Sequence, residues 1–419
     1  MNLNFITSAA ADRFDLGVKL EYARQLKKFG FVAPPTLRTY LTHIALWNSF
    51  IELPEKHSPD CFIRRFDDLI RAASSPDFDG YKCSLPITSD GRLINGAHRL
   101  AAALASGNEH KLLFDQVDSP YRYSSSFFSD YTNPHSGARF SSKILDDMYE
   151  DFVAVVDHDY YLLTPRAIAE DGGKRAISII SKTHRINHIR RFNIAHRMVP
   201  LLVSHMYWNQ DWISAGFVSP HASSLLHKAN SIIEPYLPNR FTLILVNPCA
   251  DDQKISVKHK IRQAYSSRQD SVHSSDLPID TKILGLLVAT LDRASNSLVT
   301  NSYFNDCMRL LRDNSLASTE IKIDYAITGS FLLGLNNLRD VNDIDLIGRT
   351  GEAFSHNNCS YYYSQSPEEL IYNKENYYYL FGQKILVPEQ IYSLKQRRAE
   401  PKDFTDIALL ATAHLAPLV

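Results

Sequence analysis

The chain reads as an α/β and α+β multidomain protein, on three observations. Its 419 residues exceed one ordinary hydrophobic core, so two or three domains are expected. Continuous apolar runs at Phe152–Val156 and Phe241–Val246 suit buried strands, and helical patterns lie between and after them, as in an α/β layer. Two glycine-centred strand–turn–helix segments, around Gly96 and Gly329, flank that region. The division this predicts is 1–135, an α/β middle region over 136–300, and 301–419.

Composition narrows the class. The chain is 44% hydrophobic and 22% charged, the balance of a soluble globular protein. A formal net charge of −1 argues against an extended nucleic-acid surface and leaves room for a local basic patch. No apolar run approaches a membrane span, and Met1 to Leu16 lacks a basic region followed by a hydrophobic core. Cys61, Cys83, Cys249, Cys307 and Cys359 are scattered and odd in number, as in reduced thiols of a cytoplasmic protein. The oligomeric state stays open.

In the first module, Leu85 to Leu104 follows local rules. Pro86-Ile87 starts a short strand, Asp90-Gly91 is a hairpin turn, and Arg92 to Ile94 returns. Gly96 frees the backbone for a tight entry into an Ala-rich helix. Asn95, Gly96, Ala97, His98 and Arg99 then surround free N–H groups at the positive end of the helix dipole. That is an anion site, where Arg99 can add a bidentate phosphate contact. The competing reading is that His98 and Arg99 cap the helix and bind a structural partner.

This strand, turn and Gly96-Ala97-His98-Arg99 helix resemble the ParB/sulfiredoxin superfamily over roughly residues 50–115, with the Phe66–Ile70 helix and the Gly80-to-Ile87 lead-in fitting that layout. The resemblance implies a nucleotide phosphate cradle, with His98 and Arg99 on phosphate. Ala97 stands where sulfiredoxins carry a reactive cysteine, so sulfur-repair chemistry is not expected. The members that phosphorylate free serine are nearest in wording. Glu52 and Glu55 are candidates for their separate catalytic glutamate.

In the middle region, Ile177 to Tyr207 reads as largely helical, Lys254 to Tyr265 as a basic amphipathic helix, and Thr281 to Leu291 as another helix. Ser124–Ser129 and Ser266–Ser275 read as loops. The histidines lack zinc-ligand spacing and read as solvated or core residues. His273-Ser274-Ser275-Asp276, preceded by Lys258, Lys260, Arg262 and Arg268, is either a second anion site or an ordinary N-cap.

The third module carries Thr328-Gly329-Ser330-Phe331, then Asp343-Ile344-Asp345-Leu346. In a strand, Asp343 and Asp345 project from one face and can hold Mg²⁺, which completes its shell with water and substrate phosphate. Backbone N–H groups after Gly329 and Ser330 can meet the phosphates. The spacing resembles the DNA polymerase β-type nucleotidyltransferase superfamily, as does the run Val387–Lys395, Arg398, Lys402-Asp403 and Asp406. By that resemblance Gly329 and Ser330 take the triphosphate, Asp343 and Asp345 the metal, and Lys395, Arg398 and Lys402 phosphate charge. Active members place a third carboxylate on a later strand; Tyr377 to Val387 has none.

Taken together, the Gly96–Arg99 cradle, Met206–Trp212, the His273 loop and the Gly-Ser…Asp-x-Asp module resemble bacterial proteins associated with capsule and surface-polysaccharide gene clusters. The expectation is an enzyme using Mg²⁺ and ATP or another nucleoside triphosphate. It would move a phosphoryl or nucleotidyl group onto a small molecule or glycan precursor, with Asp343, Asp345, His98 and Arg99 as catalytic candidates. Two alternatives stand beside it: a non-catalytic nucleotide-gated scaffold, and an antitoxin-like nucleotidyltransferase acting on a protein or RNA.

Overall fold

A computed structural model describes residues 3–52, 56–79, 84–208, 210, 223–233, 236, 238–295, 306–307, 309–311, 321–348 and 363–413. Parts of the Gly80 lead-in and of Met206–Trp212, together with Glu55, lie outside those residues. The chain is mixed α/β, as expected. It forms two compact units: Met1–Tyr160 with Ile180–Ile189 and Ile244–Asp251, and Tyr161–Ile179 with Arg190–Leu243 and Asp252–Val419. The modules read from sequence were three, with breaks near 135 and 300. Among the described residues no helix is long and apolar enough to cross a membrane.

Unit 1 is a helical body beside a two-stranded parallel sheet. Helices α1 (Leu3–Ala11), α2 (Leu16–Phe29), α3 (Pro34–Asn48) and α4 (Pro59–Ala73) precede strand β1 (Leu85–Ile87) and helix α5 (Ala97–Ser106). Strand β2 (Phe114–Gln116) pairs in parallel with β1, and α6 (Ser125–Asp130) and α7 (Ser142–Val155) follow. Of the Arg92–Ile94 return, only an isolated bridge between Ile87 and Leu93 forms.

Helix α7 overturns the strand read at Phe152–Val156. Its apolar positions Ile144, Met148, Tyr149, Phe152 and Val153 are buried at helical spacing, and Ser141 caps its start by accepting from the Ile144 N–H. The five-residue apolar run is only the end of that stripe. Ser124 likewise caps α6, so the serine-rich segment there is a helix and not a loop. Gly17 lets α2 lie against α7: a β-carbon at residue 17 would sit 2.5 Å from the Phe152 Cα. Phe14 fills the adjoining space, edge-on to Phe152 at 5.3 Å.

The middle of the chain forms a four-stranded sheet of order β4-β5-β3-β6, where β3 is Asp159–Leu163, β4 Ile186–Asn193, β5 Arg240–Val246 and β6 Val272–Ser274. The strand expected at Phe241–Val246 is present. The stretch Ile177–Tyr207 is not continuously helical, because β4 interrupts it between α9 (Lys174–Ser181), which follows α8 (Pro165–Asp171), and α10 (Val199–Met206). Strand β4 reads Ile-Asn-His-Ile-Arg-Arg-Phe-Asn, too polar to announce itself as a buried strand. Part of the Ser266–Ser275 stretch is strand β6, not loop. Helices α11 (Ser223–Ile232), α12 (Asp251–Ala264), α13 (Pro278–Ala289) and α14 (Leu291–Ser295) complete this region, with α12 and α13 close to the expected spans.

The C-terminal part of unit 2 holds a second sheet of order β8-β7-β10-β9. Strand β7 (Lys322–Thr328) leads into the short helix α15 (Phe331–Leu335), and β8 (Asp345–Gly348) returns antiparallel, pairing Thr328 with Asp345. After α16 (Pro367–Tyr372), the expected single strand over Tyr377–Val387 is a hairpin, β9 (Tyr377–Leu380) and β10 (Gln383–Leu386). Its two-residue turn, Phe381-Gly382, has φ of 48° and 76°, the geometry that matches strand twist. His205 on α10 pins that turn. Its ring stacks on Phe381 with centroids 3.9 Å apart, and Nε2 accepts the Phe381 N–H at 3.0 Å. Nδ1 meets the Leu201 carbonyl, and burial pushes the ring's pKa down to about 3. Helices α17 (Pro388–Arg398) and α18 (Pro401–Thr412) close the chain.

Gly17→Leu should destabilise unit 1 by about 1–3 kcal/mol, since overpacking a tight helix crossing forces backbone shifts. Urea unfolding checks this; an unchanged midpoint would mean that α2 and α7 do not meet at Gly17.

Candidate functional site

In unit 1, β1, the turn and α5 assemble as the sequence predicts. Gly96 takes φ 86° at the start of α5, and a β-carbon there would lie 2.5 Å from the Leu85 side chain. Asn95 Oδ1 accepts the Gly96 N–H at 2.6 Å. Half-buried His98 stands edge-on to Phe66, and its Nε2 is 3.0 Å from the Tyr40 hydroxyl. Desolvation first, then the charges of Lys19 and Lys56, hold His98 well below the usual histidine range.

Arg99 does not join it. Its guanidinium donates to the Ser84 carbonyl and packs beneath Gly96, so it braces the strand-to-helix turn. The cavity beside this turn, about 680 Å³, is lined by Asn95, Ala97 and His98 but not by Arg99. Glu52 lines it as well, with Lys56 3.2 Å from its carboxylate.

Two cations that sequence reasoning missed, Arg13 and Lys19, also line this cavity. Arg13 forks onto Asp15 at 2.8 and 3.0 Å and donates to the Leu93 and Ile94 carbonyls. Lys19 donates to the same Asp15, and His43 lies 3.8 Å from it. Burial opposes ionisation of Asp15, yet Arg13 and Lys19 hold its carboxyl well below the usual range. Burial, then the charge of Lys19, pushes His43 down to about 3, so it stays neutral. The spacing Asp15-x-x-x-Lys19 was the only local signal, and it reads as an ordinary helical ion pair.

The second cavity, about 220 Å³, lies in unit 2 and gathers residues that the sequence had grouped: Gly329, Ser330, Asp343, Asp345, Lys395, Arg398 and Lys402. Asp345 opens β8, whereas Asp343 precedes the strand, so the two do not alternate along one strand face. They meet through the turn instead. Ser330 Oγ donates to Asp343 Oδ1 at 3.2 Å. Gly329, at φ 71°, leaves the Asp345 carboxylate only 2.0 Å from where a β-carbon would be. Burial, then the nearby Asp343 charge, raises the Asp345 pKa, against Arg398, Lys395 and Lys402.

The basic residues are themselves anchored. Lys395, buried, reaches Asp406 at 2.6 Å and Asp403 at 3.3 Å, while Arg398 forks onto Asp403 at 2.8 and 2.6 Å. Lys402 is exposed, 3.2 Å from Glu400. Arg339, which sequence reasoning missed, forks onto Asp406 and lines the cavity beside Asn342. Two carboxylates near enough for the Asp343 charge to act on Asp345, with room beside them, fit a small divalent cation. Among the described residues no group of three His, Cys, Asp or Glu side chains converges.

The His273 loop resolves toward packing. The Asp276 and Leu277 N–H groups donate to Asp280 Oδ2, so the start of α13 is held by Asp280, and Asp276 accepts from Gln210. Comparison with protein-family models, curated proteins and solved structures gave no match to the chain.

Two outcomes follow from this geometry. Gly329→Ala should cost about 1–3 kcal/mol and displace Asp345, read as a lowered melting temperature with perturbed β8 amide shifts. Unperturbed shifts would show that no close contact exists. His43 and His98 bind protons in the unfolded chain but not in the folded one, so stability should fall as pH drops below about 6.5. The slope should approach 1.4 kcal/mol per pH unit per histidine, roughly, and a urea midpoint constant from pH 6.5 to 5.5 would contradict it.

Proposed function

We propose that the protein is a Mg²⁺-dependent transferase that moves a nucleotidyl or phosphoryl group from a nucleoside triphosphate to a small molecule or glycan precursor. We further read its setting as cytoplasmic synthesis of a bacterial surface polysaccharide. One observation carries the reading: Gly329, Ser330, Asp343 and Asp345 share a cavity with Arg339, Lys395, Arg398 and Lys402.

Asp343 and Asp345 would hold Mg²⁺, which when bound neutralises phosphate charge. Ser330 orients Asp343, and the bare Gly329 admits the Asp345 carboxylate. The ion pairs of Lys395 and Arg398 with Asp403 and Asp406 preorganise positive charge at the cavity wall, where charge stabilisation carries most of such catalysis. In nucleotidyl transfer the acceptor oxygen bonds to the α-phosphorus, the bridging P–O bond breaks, and pyrophosphate leaves as the acceptor gives up its proton.

The non-catalytic scaffold reading draws on Arg99 bracing Ser84 and on the two-carboxylate set in unit 2. A serine-kinase-like step in unit 1 draws on Glu52 and His98 lining one cavity.

The deciding assay incubates the protein with Mg²⁺, α- or γ-labelled nucleotides and a pool of sugars, sugar phosphates, alditols and amino acids. The expected result is α-label transfer that EDTA abolishes and Asp343→Asn/Asp345→Asn lowers by at least about 10²–10³-fold, with the fold retained. Because Asp345 is raised, Mg²⁺ affinity should weaken as pH falls through its pKa. Transfer that survives the double substitution would move the chemistry elsewhere; γ-label transfer lost in His98→Ala would assign it to unit 1.

A further inference from the structure

We propose that a half-buried basic cluster of unit 2, Lys258 and Arg262 on α12 beside His273 on β6, binds the phosphate group of a small-molecule phosphate ester. The starting point is two cations that the fold leaves unmatched. Lys258 and Arg262 stand about one turn apart on α12, flanking its buried stripe of Lys254, Val257 and Ile261, and both are half-buried. Among the described residues neither makes a hydrogen bond or an ion pair. The Arg262 Nε is shut off from solvent and has no acceptor. A buried donor left unmade is costly, and in a native fold it calls for an acceptor that enters.

The charges facing the pair do not fill that role. Lys228 on α11 adds a third cation and holds Asp270, which also accepts from Ser231. The second acid, Asp276, acts on Lys258 by its charge, while its carboxylate accepts from Gln210. Three cations therefore face two carboxylates, and each carboxylate already has a donor other than Lys258 or Arg262. Lys254, one turn earlier, adds its charge to that of Arg262 and Lys228 against Lys258. Burial, then the Lys258 charge, holds His273 well below the usual histidine range, so it adds no charge. Its ring stands edge-on to Tyr207 with centroids 4.6 Å apart. The loop after β6 offers no donors in their place, because Asp280 takes the N–H groups of Asp276 and Leu277.

Two adjacent cations, one of them a guanidinium with a fork of donors, suit the double charge of a phosphate monoester better than a single carboxylate. Only a compact terminal group reaches a nitrogen that solvent does not, which disfavours a nucleic-acid backbone or a flat lipid surface. The cavity of Asp343 and Asp345 shares none of these residues, so the inference stands apart from the transferase reading.

The test follows the imidazole NMR signal of His273, identified by its loss in His273→Gln, in the full-length protein in EDTA. Inorganic phosphate, glucose 1-phosphate and acetate are titrated in turn. Both phosphates should shift the signal saturably, and acetate should bind at least about tenfold more weakly. Arg262→Met and Lys258→Met should each weaken phosphate binding by about tenfold or more. Lys260→Met, on the exposed side of α12, and Asp343→Asn/Asp345→Asn should stay within about threefold of wild type. Should Arg262→Met fail to fold, Lys258→Met carries the test alone. The inference is overturned if neither phosphate moves the His273 signal, if acetate binds as tightly, or if the replacement of Lys258 or Arg262 leaves affinity unchanged.

Discussion

The carboxylate of Asp345 occupies space that a β-carbon would need at residue 329, and the unit 2 site depends on that exclusion. Only glycine lets β7 end in a left-handed turn and still admit the side chain that begins β8. Because Thr328 and Asp345 are register partners, the turn and the acid are fixed by the same backbone ladder. Ser330 then reaches Asp343 from the far side of that turn. A pair of acids is held by strand geometry even though one of them lies outside the strand.

Both cavities are built on buried charge, and in both the cations are held by carboxylates of the same unit. Around the unit 2 cavity, Lys395, Arg398 and Arg339 share two carboxylates, Asp403 and Asp406. In unit 1, Arg13 and Lys19 share a single carboxylate. The first arrangement fixes its cations in place beside Asp343 and Asp345. In the second, Glu52 lines the cavity as well and acts on Lys19 by its charge.

Much of this was legible from local pattern. The strand–turn–helix at Gly96 rests on short-range stereochemistry. The grouping of Gly329, Ser330, Asp343, Asp345, Lys395, Arg398 and Lys402 was drawn from the resemblance, and these residues line one cavity, with Asp343 ahead of the strand and not on it. Other parts were not. Phe152–Val156 has the same apolar content as a strand, and only its continuation from Ile144 at helical spacing decides for α7. Strand β4 is polar because it is only partly buried, so its pattern carries no strand signal. Arg99 looked like a phosphate ligand because an arginine in a first helical turn faces free N–H groups; the nearby Ser84 carbonyl claims it instead.

By itself, then, the sequence determined the turns, the helix starts and the residue types that divalent-metal and anion chemistry require, since glycine torsions and capping act within a few residues. Only the tertiary structure decided which of those side chains share a space. Lys19 comes from α2, Glu52 from the loop after α3, and His98 from α5, and they line one cavity across almost eighty residues of chain. Arg339 and Asp406 meet over a similar separation. Such convergence is set by how helices and strands pack around a core, and packing distance leaves no trace in local sequence spacing.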